Sequence, residues 1–280
     1  MKTVAILLTV HSRREKTLAC LANCFLQADS LRGEGEYGFG VYLVDDGSSD
    51  GTSEAVREMY PDVRLLKGDG TLYWNQGMRL AWSEAAKDSP DFYLWINDDT
   101  LMREGALASI METSKFLRHR AIVVGTCQGE GTSLSYGGRD RRGRIVPPDN
   151  DIPVPCYTFN GNLVLVPSFV YGVLGNLEPR YHHTFGDYDY GVRAVKKRLA
   201  RVVCPGVVAD CPRNPGVPGW RDPSIPVGER FRILQSPKGR PFKEQFLYDM
   251  RDRDILWAIG HRLSLYFKTL FPSLGFQGIE

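Results

Sequence analysis

Apolar and polar positions in the first 120 residues follow two alternating patterns. Each of four aliphatic or β-branched runs is followed by a segment with apolar residues at helical spacing. The strand-like runs span residues 3–10, 40–46, 63–66 and 91–97. The helical patterns lie near residues 18–26, 52–60, 75–87 and 104–117. This alternation predicts an α/β fold, with a doubly wound, mostly parallel (mixed) sheet and helices on both faces.

The pattern changes after about residue 125. Segments rich in Gly, Arg and Pro at 137–144 and 146–155 predict loops. The later segments predict a strand at 162–167, a helix at 187–199 and a strand at 201–204. Because strands and helices return, we expect the second half to complete the same sheet. The predicted organisation is one domain over residues 1–250, with functional halves 1–125 and 126–250.

A further helical pattern lies near the C-terminus, in the predicted extension 251–280. Ile255, Ile259, Leu263, Tyr266 and Leu270 recur at spacings of three or four, which predicts an amphipathic helix within residues 252–270. Such a face packs on its own domain or on a second subunit, which would make a homodimer. The alternative is contact with an anionic membrane surface.

Composition narrows the class of protein. The 280 residues are 42% apolar and 24% charged, which is ordinary for a globular protein. The net charge of +2 gives no support to nucleic acid as a partner. The N-terminal apolar run becomes polar at His11, which is too soon for a secretory signal, and no apolar run is long enough to span a bilayer. The six cysteines lack the spacing of a zinc site. We therefore expect a cytoplasmic protein, with the inner face of the membrane as the alternative location.

Acidic side chains follow two of the predicted strands. VDDGSSDGT places Asp45 and Asp46 at the end of the second strand, and WINDDT places Asn97, Asp98 and Asp99 at the end of the fourth. Carboxyl ends of parallel strands meet in one crevice, and hard oxygen ligands suit Mg²⁺ or Mn²⁺ bound with diphosphate oxygens. In the alternative interpretation these residues only cap the following helices. The chain has neither GxGxxG nor a P-loop, which argues against those two nucleotide sites.

These motifs carry a family resemblance. Together with Thr9, VDDGSSDGT and WINDDT resemble the nucleotide-sugar half of an inverting GT-A glycosyltransferase of family 2. The resemblance implies that Thr9, Asp45, Asp46, Asn97 and Asp98 contact the donor. It also implies that Asp99, with Asp98, holds the metal.

The loop at 67–82 extends the resemblance. KGDGTLYWNQGMRLAW is similar to the donor loop of a branch that resembles bacterial rhamnosyltransferases. Gly68, Gly70, Trp74, Asn75 and Gly77 match that loop, and the first four are implied donor contacts. A simple turn is the structural alternative.

The acceptor half of the same family resembles TFNGNLVLVP and HHTFGDYDYGVRAVKKR. Asp187 falls on the position of the catalytic base, while Gly186 stands where the family has Glu. Asn160, Asn162 and Asp189 are implied acceptor contacts. For Asp189, an ion pair with the arginine four residues later is the alternative.

The implied reaction is inverting transfer of a sugar from a nucleoside diphosphate to an acceptor hydroxyl. The resemblance favours a deoxythymidine diphosphate sugar such as the rhamnose donor, or a UDP-sugar, and a surface polysaccharide or lipid-linked glycan as acceptor. Two other functions stay open at this point. They are a sugar-nucleotide nucleotidyltransferase and a noncatalytic nucleotide-binding module.

Overall fold

The computed structural model describes residues 1–32, 35–131, 133–213 and 218–274. The first half has the predicted alternation of strands and helices. Its strands are β1 (Lys2–Val10), β2 (Tyr37–Asp45), β3 (Arg64–Lys67), β4 (Phe92–Ile96) and the short β5 (Leu101–Met102). Its helices are α1 (Arg14–Arg32), α2 (Thr52–Met59), α3 (Tyr73–Ala85) and α4 (Ala106–Phe116), with a 3₁₀ turn at Ala86–Asp88.

The second half returns to the same sheet, as predicted. Its strands are β6 (Ala121–Gln128), β7 (Leu134–Tyr136), β8 (Gly138–Arg139), β9 (Val154–Pro155), β10 (Thr158–Phe159), β11 (Leu163–Pro167) and β12 (Ala200–Asp210). Its helices are α5 (Ser168–Leu174), α6 (Gly186–Lys196), α7 (Val227–Gln235), α8 (Phe242–Asp252) and α9 (Ile255–Leu270), with 3₁₀ turns at Gly219–Arg221 and Pro272–Leu274. Helices α5, α7 and α8 were not predicted. The segments predicted as loops contain the short strands β8 and β9.

The main sheet has the order β3-β2-β1-β4-β11-β6-β12-β5. Strands β1, β2, β3 and β4 are parallel to their neighbours within this group, whereas β11 runs antiparallel to both β4 and β6. The mixed α/β sheet is confirmed. The chain leaves β1 toward β2 on one side and later returns to β4 on the other, so a crevice opens at the carboxyl ends of these strands.

Two apolar layers cover the sheet. Along β1, Val4, Ile6 and Leu8 belong to the core cluster on one face, and Ala5 and Leu7 belong to the cluster on the other. Side chains of a strand point alternately to opposite faces, so a strand covered on both faces needs an unbroken apolar run. This is why β1 has no polar position between residues 4 and 8.

Helix α9 packs against α7 and α8, and the predicted boundary at residue 250 falls within α8. Asp254 caps α9 by accepting a hydrogen bond from the Trp257 N–H at 2.9 Å, so the helix begins at Ile255 rather than at 252. Its buried side is formed by Ala258, Leu265 and Thr269. The predicted apolar residues, apart from Tyr266, are largely exposed in the described part of the protein.

Candidate active site

A cavity of about 640 Å³ lies at the carboxyl ends of β1, β2 and β4. The start of α3, the start of α6 and the segment between α7 and α8 complete its wall. Most of the predicted site residues line this cavity: Thr9, Asp46, Gly70, Trp74, Asn97, Asp98, Asp99, Asn160, Asn162 and Asp187. The fold therefore brings the predicted donor half and acceptor half to one site.

The two carboxylates after β2 point to different places. Asp46 faces the cavity wall and accepts hydrogen bonds from the Gly70 N–H at 2.8 Å and the Tyr73 N–H at 2.9 Å. Asp45 accepts from the Ser48 N–H at 2.9 Å and from the Ser53 hydroxyl. Asp45 thus holds the turn and the first residues of α2, as in the capping alternative, and does not line the cavity.

The loop before α3 wraps closely around Asp46. A Cβ on Gly68 would lie 2.5 Å from Asp46 Oδ1, so no side chain fits at this position. Gly70 has a φ of +89°, a conformation that favours glycine. Asn75 is fully buried, and its amide donates to the main-chain oxygens of Glu178 and Tyr181 at 2.9 and 2.7 Å. Gly68 and Asn75 therefore shape the loop and do not reach the cavity.

Trp74 joins the two halves of the site. Its indole N–H donates to Asn97 Oδ1 at 2.8 Å. Gly161 packs on the same indole, since a Cβ there would lie 2.5 Å from the ring. The Gly161 N–H in turn donates to Asp187 Oδ2 at 2.8 Å. A continuous set of contacts thus runs from Asn97, beside the acidic pair of β4, to Asp187.

The acidic pair after β4 is bridged by Arg13. One guanidinium nitrogen lies 2.8 Å from Asp98 Oδ1 and another lies 2.8 Å from Asp99 Oδ2. Asp98 is only 3% exposed, and burial raises its pKa to about 6. The sequence analysis missed Arg13, although a basic residue just after β1, at the strand end where acidic residues converge, was a usable signal.

The same pair has the donor atoms that a divalent cation needs. Asp98 Oδ2 is buried without a hydrogen-bond partner among the described residues, and Asp99 Oδ1 accepts a weak hydrogen bond from the Cys211 thiol at 3.6 Å. No cluster of three or more His, Cys, Asp or Glu side chains that could hold a metal occurs in the described ranges. Mg²⁺ commonly uses one or two carboxylates and completes its shell with water and substrate phosphates. The two residues fit a cation shared with a diphosphate.

Asp187 stands in the first turn of α6 with both oxygens held. Oδ2 accepts from the Gly161 N–H and Oδ1 accepts from the Tyr188 N–H, each at 2.8 Å. Burial raises the pKa of this carboxyl above its ordinary value, although the two N–H donors act in the opposite direction. The arrangement fixes the carboxylate in direction and makes it a stronger proton acceptor than an exposed aspartate.

Gly186 fits its position because no side chain can be placed there. A Cβ would lie 2.0 Å from Asn75 Oδ1, which is buried and has no hydrogen-bond partner. The preceding residue, Phe185, has a φ of +75°, which is strained for an L-residue. The packing of α3 against α6 therefore leaves no room at residue 186 for the Glu that the family has there.

The remaining predicted acceptor residues separate into two groups. Asn160 and Asn162 are buried in the cavity wall, and Asn160 donates to the Tyr188 hydroxyl at 2.9 Å. Asp189 is fully buried outside the cavity, 3.0 Å from Arg193 Nε and 2.5 Å from a guanidinium nitrogen of Arg251. Asp189 therefore forms ion pairs, as in the alternative interpretation, and does not lie where it could contact an acceptor in the cavity.

Two residues that were not among the predicted site residues also line the cavity. Lys238, from the segment between α7 and α8, is exposed and brings a cation to the rim. His183 lines the cavity, and its Nδ1 accepts a 3.4 Å hydrogen bond from the Trp74 N–H. Burial lowers the pKa of His183 to about 4, so the ring is neutral at neutral pH.

Several solved structures resemble this chain. The structure of S. aureus TarS 1–349 has 14% identity and a TM-score of 0.58, and the match covers 99% of this chain and 73% of TarS 1–349. The complex of TarS 1–349 with UDP-GlcNAc has 13% identity and a TM-score of 0.57, with coverage of 99% and 73%. Mannosyltransferase PcManGT from Pyrobaculum calidifontis, in complex with GDP-Man and Mn²⁺, has 17% identity and a TM-score of 0.55, with coverage of 98% and 76%. The GT-A type of fold is thereby confirmed.

The sequence comparisons identify the family. No curated protein matches this chain. The family model described as Glycosyl transferase family 2 matches residues 5–170, which is more than half of the chain. That range contains the cavity-lining ends of β1, β2 and β4. The chain therefore belongs to glycosyl transferase family 2 and is a glycosyltransferase.

Proposed function

We propose that this glycosyltransferase inverts the anomeric centre while it moves a sugar from a nucleoside diphosphate to an acceptor hydroxyl. The observation that carries the proposal is the cavity, which has Asp98 and Asp99 in one wall and Asp187 in another. Mg²⁺ or Mn²⁺ assists the reaction. The donor is a deoxythymidine diphosphate sugar, with rhamnose favoured, or a UDP-sugar, and the acceptor is a surface polysaccharide or lipid-linked glycan.

The nucleotide binds where the strands end. Thr9 and Asp46 lie in the wall near the loop before α3, and Trp74 in the same wall would provide an aromatic surface for the sugar. The titles of the TarS and PcManGT structures, with UDP-GlcNAc and with GDP-Man and Mn²⁺, support a nucleotide sugar as ligand. Cavity volumes of several hundred Å³ are typical of small-molecule sites.

The diphosphate is stabilised as it leaves. Asp98 and Asp99 would hold the cation, which supplies Lewis-acid stabilisation of the developing charge when it is bound. The Arg13 guanidinium donates to both carboxylates at 2.8 Å, so it places a positive charge at the wall where the diphosphate would leave. Lys238 adds a second cation at the rim. Positive charge at this wall favours departure of the diphosphate over its return.

Asp187 accepts the proton of the acceptor hydroxyl. Its two N–H donors keep the carboxylate from rotating, and its raised pKa improves the match to a general base. A carboxylate does not ionise a free alcohol beforehand, so proton transfer accompanies attack on the anomeric carbon from the face opposite the diphosphate. The new C–O bond forms as the bond to the diphosphate breaks, and the proton ends on Asp187.

The test is a donor screen followed by turnover. Thermal shifts of the whole chain with nucleotides and nucleotide sugars, each with and without Mg²⁺ or Mn²⁺, identify the donor, since ligands that bind the folded state raise stability by mass action. Incubation with the radiolabelled donor and candidate acceptors should then release nucleoside diphosphate. NMR of the product should show an inverted anomeric centre.

Three results would contradict the proposal. Donor binding without any turnover would indicate a noncatalytic module. Release of pyrophosphate from a nucleoside triphosphate and a sugar 1-phosphate would indicate a nucleotidyltransferase. Full turnover of Asp99→Asn in EDTA would remove the metal from the proposal.

A further inference from the structure

Tyr188 follows Asp187 in the first turn of α6 and lines the same cavity. Its main-chain N–H donates to Asp187 Oδ1 at 2.8 Å, and its main-chain oxygen accepts from the Thr158 hydroxyl at 2.8 Å. The Arg139 guanidinium lies over its ring, 5.7 Å from the centroid, and the Tyr248 ring lies 6.4 Å away. The phenol is therefore held in place beside the proposed general base.

The direction of the hydrogen bonds at this phenol is set by Arg139, because a guanidinium can only donate. Arg139 Nε donates to Asn160 Oδ1 at 2.9 Å, so the amide oxygen of Asn160 faces the guanidinium. The NH₂ group of Asn160 then donates to the Tyr188 hydroxyl oxygen at 2.9 Å. The opposite orientation of the amide would bring two donors face to face at Arg139. Arg139 thus determines which end of the Asn160 amide meets Tyr188.

The Tyr188 hydroxyl accepts from Asn160 and keeps its own hydrogen for another partner. In the described part of the chain, no hydrogen bond has this hydroxyl as its donor. Burial raises the pKa of Tyr188, so the hydrogen stays on the oxygen at neutral pH. A fixed donor that has no acceptor in the protein favours a ligand with an oxygen atom at that point and disfavours one without it.

The location of Tyr188 indicates which oxygen this is. Asp187, in the same turn, is the proposed base for the attacking hydroxyl of the acceptor. A hydrogen bond donated to the attacking oxygen would withdraw electron density from the nucleophile, so a second oxygen of the acceptor is the suitable partner. In a sugar, the carbon next to the attacking hydroxyl commonly carries such an oxygen.

We propose that Tyr188 recognises the acceptor by donating its phenolic hydrogen to a sugar oxygen on the carbon next to the attacking hydroxyl. Asn160 and Arg139 are positioning residues that keep this hydrogen directed into the cavity, so Asn160 acts on the acceptor through Tyr188. The inference rests on the proposed function, because it takes Asp187 as the base. It specifies the acceptor as a glycan with two neighbouring oxygens at the site of transfer.

The experiment measures transfer from the identified donor to a panel of methyl hexopyranosides and to their monodeoxy derivatives. Tyr188→Phe removes the hydroxyl and should lower kcat/KM for the parent acceptor about three- to tenfold, mainly through KM, as expected for one neutral hydrogen bond. With the derivative that lacks the neighbouring hydroxyl, this variant and the unmodified chain should transfer equally well, because neither can form the bond. Donor affinity, measured by calorimetry, should not change.

A second variant separates recognition from packing. Asn160→Asp keeps the shape of the side chain, but a carboxylate only accepts, so its second oxygen takes the Tyr188 hydrogen and turns it away from the cavity. The preference for the parent acceptor over the deoxy derivative should then fall as in Tyr188→Phe. Tyr157→Phe is the matched control, since the Tyr157 ring lies 5.4 Å from the Arg141 guanidinium and its hydroxyl donates to Asp252 outside the cavity. It should transfer like the unmodified chain.

Other results overturn the inference. An unchanged preference for the parent acceptor in Tyr188→Phe would do so, as would an equal loss in Tyr157→Phe. A weaker affinity for the donor with an unchanged KM for the acceptor would assign the hydrogen to the donor sugar. Circular dichroism checks that each variant is folded. If the unmodified chain transfers no sugar to any of these glycosides, the proposed function fails together with the inference, whereas normal transfer without the Tyr188 effect contradicts the inference alone.

Discussion

Replacement of Asp187 by Asn tests the general base with little change of shape. The wild-type carboxylate accepts one N–H on each oxygen, from Gly161 and from Tyr188. An amide has only one oxygen, so one of these N–H groups would face an NH₂ group and lose its partner. An unsatisfied buried N–H costs about 1–3 kcal/mol.

A second effect acts in the opposite direction. Burial raises the pKa of Asp187, which means that the folded protein disfavours the charged form, and a neutral amide removes this penalty. The two effects partly cancel, so we expect the free energy of unfolding to change by less than about 2 kcal/mol. The variant should therefore fold and bind donor.

Transfer to acceptor should fall much further. Loss of a positioned general base typically reduces the rate by about 10² to 10⁴, which corresponds to about 3 to 5 kcal/mol in activation free energy. Initial rates with radiolabelled donor measure this loss, and calorimetry measures donor affinity. The rate of the unmodified enzyme should also decline as pH falls through the raised pKa of Asp187, and this acidic limb should be absent from the variant's residual activity.

Asp149→Asn provides the matched control. Asp149 also accepts two main-chain N–H groups, from residues 151 and 152 at 2.8 and 3.1 Å, but it is exposed and does not line the cavity. Its variant should transfer sugar at the normal rate. If Asp187→Asn binds donor normally and transfers at a near wild-type rate, the assignment of the base is refuted.

Three further perturbations test other parts of the site. Arg13→Met should lower the metal-free free energy of unfolding by about 1–3 kcal/mol, because the acidic pair of β4 loses its counter-charge, and Mn²⁺ should then raise Tm more than in the wild type. Between about pH 6.5 and about pH 4 the unfolded protein protonates His183 but the folded protein does not, because its pKa in the folded state is about 4. The wild type should therefore lose up to about 3 kcal/mol of unfolding free energy as the pH falls through this range, and His183→Gln should lose less. Gly186→Ala should cost about 1–3 kcal/mol, because its Cβ meets Asn75 Oδ1, and the cost should shrink in an Asn75→Ala background.

Each of these has a result that contradicts it. If Mn²⁺ raises the Tm of Arg13→Met and of the wild type equally, the guanidinium and the cation do not share ligands. For His183→Gln, denaturant titrations at pH 7 and near pH 4.5 measure the free energy of unfolding. The prediction fails if this variant loses as much unfolding free energy at the lower pH as the wild type does. Strict additivity of Gly186→Ala and Asn75→Ala would remove the proposed contact from the explanation.

The sequence by itself determined the framework and the location of the site. Strands covered on both faces must be apolar throughout, so β1, β2 and β4 were visible as unbroken runs ending in polar residues. Parallel strands bring those ends to one edge, which is why Asp45, Asp46, Asp98 and Asp99 were predicted to lie together. All of them except Asp45 line the cavity. Asp187 was identified through the resemblance of HHTFGDYDYGVRAVKKR to the family's motif at a helix start.

The tertiary structure decided how the polar side chains are used. Asp45 and Asp46 are neighbours in sequence, yet one holds α2 and the other holds the loop before α3, because successive side chains at a strand end point in opposite directions. Arg13 meets Asp98 across 85 residues of sequence. No local pattern contains such a pairing.

The clearest limit of sequence reasoning concerns α9. Periodicity predicted the helix and its apolar strip, but the side that packs inward carries the small or less apolar residues Ala258 and Thr269, together with Leu265. They fit against α7 and α8, two helices that were not predicted. An amphipathic pattern shows that one side of a helix is apolar. Which side is buried depends on the partners that the rest of the fold supplies.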